Sequence, residues 1–128
     1  MRLIYCCTAV MLGSLSLNAQ TGRACKKNPD LVGSCFSLHG RVMYTNGTPS
    51  LRIWRVGTNR ILGVLPPEDE IIPPNLKLAL QGWDKWVYAD LEVCPFTKEK
   101  RGEMQMVCVE SAEHLVVQKL TKGDSPGR

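Results

Sequence analysis

From Cys35 to Tyr44 the chain alternates: Phe36, Leu38, Val42 and Tyr44 fall on one side, Ser37, His39 and Arg41 on the other. A period of two belongs to a strand with one buried face. TNGTPS follows, and its Asn46-Gly47 dipeptide accepts positive φ at low cost, so the chain reverses there. LRIWRV is the returning strand, GTNR turns again, and RILGV completes a three-stranded meander. Four prolines between Leu65 and Asn75 then interrupt the sheet. Glu68, Asp69 and Glu70 make that segment a solvated excursion; it lacks the alternating oxygen ligands and central glycine of a calcium loop. NLKLALQG reads as one or two helical turns, capped by Asn75 and stopped by Gly82.

A second pair of strands follows in WVYADLEVC and EMQMVCVES. In the first, Val87, Ala89, Leu91 and Val93 form an apolar face with Trp86, Tyr88, Asp90, Glu92 and Cys94 on the reverse. The polar PFTKEKRG connects them and ends on Gly102, while HLVVQKL offers one further strand. Six or seven short strands, one short helix and turn signals between them predict a mainly β chain. The architecture expected is a small antiparallel β-sandwich, transthyretin-like or immunoglobulin-like, with a small barrel as the other solution.

The amino terminus lies outside that pattern. One basic residue, Arg2, precedes an apolar run from Leu3 to Leu12 and small residues up to Ala19, the layout of a secretory signal peptide. Ten apolar residues are too few to span a bilayer core of about 30 Å. The expected organisation is a signal peptide over 1–19, a flexible lead-in over 20–33, one domain over 34–120 and a disordered tail over 121–128. Export to a bacterial periplasm or the extracellular space follows, with no transmembrane segment in the mature chain. Sixteen basic and twelve acidic residues alternate along the chain, as in TKEKRGE, without a stripe that would track phosphates. Nucleic acid is therefore not an expected partner.

Four cysteines remain after the signal peptide, an even count that reads as disulfides in an exported chain. If the last hairpin centres on residue 101, Cys94 and Cys108 face each other, and their bridge is expected; Cys25 with Cys35 follows by elimination. Cys35 and His39 make a poor zinc pair, because four residues along a strand separate them by about 13 Å. No metal and no cofactor are expected.

HGRV, NGTP and LRIWRVG together resemble the opening hairpin of transthyretin-like and carboxypeptidase-regulatory-like domains, over residues 38–64. The whole chain resembles small exported bacterial proteins of undescribed function. The first resemblance implies a seven-stranded sandwich and admits a small hydrolase of the hydroxyisourate hydrolase type. Those enzymes end in Tyr-Arg-Gly-Ser, whereas this chain ends in DSPGR and keeps only His39.

Other catalytic patterns are sparse. Ser111 and His114 are close in sequence but lack a nucleophile elbow, and Asp90 and Glu92 project from one strand face about 6.6 Å apart, as many solvated carboxylates do. The strongest binding signal is aromatic. Trp83, Trp86 and Tyr88 lie within six residues, with Met104 and Met106 expected across from the rings. Such a face stacks on a carbohydrate or anchors a protein partner, unless the helix or proline loop folds over it as a second core. The expected function is a non-enzymatic binding or structural module; the alternatives are the small hydrolase and a secreted inhibitor or envelope-assembly factor presenting the PPEDEIIPP loop. A concave pocket around His39, Asp90 or Glu92 would mark the enzyme, an open aromatic patch the binding module.

Overall fold

A computed structural model describes residues 24–123, so the expected signal peptide over 1–19 and the last five residues of the expected tail lie outside the described residues. The strands are β1 Phe36–Tyr44, β2 Leu51–Arg55, β3 Ile61–Val64, β4 Lys85–Pro95 and β5 Gln105–Lys119, with helix α1 Pro74–Ala79 between β3 and β4. They close into a barrel in the order β1-β2-β3-β5-β4, with β4 pairing back onto β1. All neighbours are antiparallel except β3 and β5, which run parallel. A parallel pair needs a long crossover, and here the proline segment, α1 and β4 supply it.

Five strands in a closed barrel thus stand where six or seven in a sandwich were expected. Much of the difference lies in one residue. His114 adopts φ 53°, and the register shifts between Tyr88 and Asp90, so EMQMVCVES and HLVVQKL run through a bulge as one strand. Closure brings β1 to both partners at once: Gly40 pairs with Arg55 on one side and Ala89 on the other. Its inward side is filled, since a Cβ there would lie 2.6 Å from Ile53 Cγ2 and 2.8 Å from Leu38 Cδ1.

The alternation seen in the sequence sets the core. Val42, Leu51, Ile53, Val64, Val87, Ala89, Leu91, Val93 and Val107 are buried inside the barrel, and Ile72, Leu76 and Leu80 from the crossover join the same cluster. Asn75 does not cap α1. Pro73 holds the cap position and Pro74 the first turn, where a fixed φ suits the helix; Asn75 Nδ2 instead donates to Ala112 O at 2.7 Å, tying the helix to β5.

The register placing Cys94 opposite Cys108 is present, but the bridge between them is not. The disulfides are Cys25–Cys108 and Cys35–Cys94. Directly opposed residues keep their Cβ atoms about 4.5–5.5 Å apart, wider than the roughly 3.8 Å of a disulfide. The residues preceding β1 cross this end of the barrel and offer each strand cysteine another partner. The stretch expected as a flexible lead-in is tied down by Cys25, by Val32 N–H donating to Pro95 O at 3.0 Å, and by Lys26 Nζ 2.9 Å from Glu92 Oε1.

Candidate functional site

Side chains at odd positions of β1 and even positions of β4 point out of the barrel, and closure sets those of four strands side by side. Arg41 pairs with Trp54 on β2 and with Tyr88 on β4; His39 pairs with Asp90, and Asp90 with Glu113 on β5. Two linked groups result.

The first is a layer of rings around a cation. The Arg41 guanidinium carbon lies 4.7 Å from the Trp54 ring centroid and 3.9 Å from that of Trp86, and all three side chains are half-buried. Trp54 is held by its indole N–H, which donates to Thr58 O at 2.7 Å in the β2–β3 turn. A cation over a ring contributes about 0.5–2 kcal/mol as water is excluded. A groove of about 290 Å³ lined by Arg41, Trp54, Asn59 and Ile61 adjoins the layer.

The second group is ionisable. Nδ1 of His39 lies 2.8 Å from one Asp90 carboxylate oxygen, and Nδ1 of His114 lies 3.0 Å from the other. The left-handed backbone of His114 is what turns its side chain toward Asp90, beside Glu113. The hydrogen bond with His39, reinforced by the one with His114, holds the Asp90 carboxyl below the ordinary carboxylate range against the opposing effect of desolvation. The Tyr88 ring stacks near His39 at 6.4 Å and joins the two groups.

Of the binding residues expected from sequence, Trp86 and Tyr88 share this face. Trp83 does not: it stacks on Tyr44 at 5.5 Å, where it is 57% exposed. Met104 and Met106 lie elsewhere too. Their sulfurs and Pro49 crowd the outer side of Gly63 on β3, whereas the residues opposite Trp86 and Tyr88 are Gln118 and Val116. Burial in the apolar setting beside Trp83, with Asp69 adding to it, pushes the Tyr44 hydroxyl up.

Sequence reasoning missed Arg41 and Trp54 as ring partners, although alternation had placed Arg41 on the polar side of its strand, and it could not give His114 its carboxylate. Ser111 lies opposite Glu92, while His114 turns to Asp90, so the Ser111–His114 proximity in sequence does not make a dyad. Asp90 and Glu92 are not a carboxylate pair either, because Glu92 is engaged by Lys26. Clefts of about 500 and 420 Å³ lie around Arg60 and the β4–β5 loop, where Arg60 bridges to Glu99, and neither is lined by His39, Asp90 or Glu92. The sulfurs of Cys25, Cys94 and Cys108 lie within 4.8 Å of one another, but all three are oxidised, and metals take the thiolate. Among the described residues no helix is long and apolar enough to cross a membrane. No protein-family model, curated protein or solved structure matches this chain.

Proposed function

We propose that the protein is an exported, non-enzymatic binding module whose outer β2–β1–β4 face takes an oligosaccharide. The observation that carries this reading is the Trp54–Arg41–Trp86 layer, with Tyr88 beside it and a groove at its edge. Flat indole faces stack on sugar rings, and rings held in place by a guanidinium between them do so at little entropic cost. Strand order supports the same class. A five-stranded barrel ordered β1-β2-β3-β5-β4, with a helix between β3 and β4, has the connectivity of the oligonucleotide- and oligosaccharide-binding barrel, whose ligands lie on the face of its second and third strands, the former carrying Trp54 here. Charge separates the two ligand classes: Asp90 on β4 and Glu113 opposite it on β5 disfavour phosphate beside this face. Export is supported by the signal-like terminus and by two disulfides, which persist in oxidising compartments.

A glycan array probed with the mature chain, followed by tryptophan-fluorescence titration of any hit, tests the reading. The expected result is saturable binding that weakens at least tenfold in Trp54→Ala at an unchanged far-UV spectrum. No binding to any glycan, or binding indifferent to Trp54→Ala, overturns it.

A further inference from the structure

We infer that the mouth of the barrel continues the binding face and takes an acidic sugar unit, so that the oligosaccharide is one carrying uronic carboxylates; this rests on the oligosaccharide reading. The groove at Trp54 shares Asn59 and Ile61 with the cleft of about 500 Å³, and that cleft shares Arg60 and Glu99 with the one of about 420 Å³. The three spaces therefore adjoin in series, from the ring layer past the β2–β3 turn to the end of the barrel where β1 starts and β4 finishes. Clefts of this size in the mouths of barrels are common ligand sites. The two ends of the series differ in charge. Asp90 and Glu113 lie beside the ring layer, whereas the two clefts at the mouth are lined by four basic side chains, Arg55, Arg60, Lys100 and Arg101, against two acidic ones, Glu99 and Glu103.

Arg60 is the fixed group among them. Its side chain is 25% exposed, and one guanidinium nitrogen donates to Gln105 Oε1 at 3.4 Å. Gln105 is buried and is itself held, donating Nε2 to Thr97 O at 3.1 Å. The other terminal nitrogen of Arg60 bridges to Glu99, whose side chain on the β4–β5 loop is 65% exposed. A carboxylate thus already sits on a preorganised guanidinium where the two clefts meet, and the acid of a uronic sugar takes its place as Glu99 turns into solvent. Either occupant keeps a charge-assisted bond to Arg60, so the exchange sacrifices no pairing there, and Arg55 and Arg101 attract a ligand that brings further carboxylates. The half-buried Phe36 and the hydroxyls of Ser34 and Ser37 line the same mouth and suit the remainder of the sugar ring.

Fluorescence titration of the mature chain with oligomers of galacturonate, guluronate and glucuronate, each beside its carboxyl-reduced counterpart, tests it. The expected result is an acidic oligomer bound at least tenfold more tightly than its reduced form at low salt, the gap narrowing as salt screens the exposed charges. Arg60→Gln should weaken the acidic form at least tenfold and the reduced form less, Trp54→Ala should weaken both, and Glu99→Gln should tighten the acidic form alone by removing its competitor. Equal affinity for the two forms, or an Arg60→Gln effect that falls on both alike, overturns the inference and leaves the oligosaccharide reading standing. Failure of every acidic oligomer to bind while neutral glycans do so has the same consequence, and absence of binding to any glycan overturns both.

Discussion

Removing the inner disulfide with Cys35→Ala/Cys94→Ala should cost about 3–4 kcal/mol. The two bridges are nested: Cys25–Cys108 closes 83 residues and Cys35–Cys94 closes 59 within them. With the outer bridge intact, the unfolded chain already connects Cys35 to Cys94 by a second path, through arms of 10 and 14 residues. The two paths act in parallel, so the constraint added by the inner bridge is that of a loop of about 18 residues rather than 59. The chain-entropy argument then gives about 3 kcal/mol, and loss of the buried Cys94 sulfur adds up to about 1 kcal/mol. Equilibrium urea denaturation measures the difference, and the slope of free energy against urea should rise because the unfolded chain expands. Removing both bridges should cost about 7–8 kcal/mol, comparable with the whole stability of a small domain, and leave the chain largely unfolded. A loss under about 1 kcal/mol for the inner pair, or a Cys94–Cys108 peptide in a non-reduced digest, would refute the reasoning.

Gly40→Ala should destabilise by about 1–3 kcal/mol in a thermal melt, because the new methyl meets Ile53 at 2.6 Å inside the barrel. Trp86→Ser/Tyr88→Ser should keep a cooperative melt within about 2 kcal/mol of the parent, since Val87, Ala89, Leu91 and Val93 on the opposite face are untouched; loss of the folded state would make the rings core. The Asp90 carboxyl, followed by NMR, should titrate below about 3.9, its ordinary value. A depressed folded-state pKa contributes stability that is present above the unfolded value and lost as pH falls through the folded one. Asp90→Asn should therefore flatten the acid limb of the stability curve below about pH 4.

What could be read from the sequence was whatever local burial writes into it. The period of two fixed which face of β1 and β4 turns inward over 36–42 and 86–93, because each strand is wet on one side there, whereas Met43 and Cys94 on the outward side are buried as well. Loop length gave the Cys94–Cys108 register in the same local way. Barrel closure was not legible, since pairing of β4 with β1 and of β3 with β5 depends on chain far away in sequence. The bulge was hidden for another reason: glycine or asparagine would have flagged a positive φ, but a histidine occupies it. Hence one long strand read as two, and the meeting of His114 with Asp90 went unseen. The disulfides failed on the path of residues 24–35, which polar composition does not encode.

The nesting of the bridges also dictates an order of events during biosynthesis. Of the four bridged cysteines, a chain delivered from its amino terminus exposes Cys25 and Cys35 before the other two, 10 residues apart, and neither is the other's partner. Cys35 must wait for Cys94, and Cys25 for Cys108 on the last strand. That strand is also the one that zips β3 to β4. Completion of the barrel and correct oxidation therefore converge on β5, and a hasty bond between Cys25 and Cys35 would have to be reshuffled before the native pairs form.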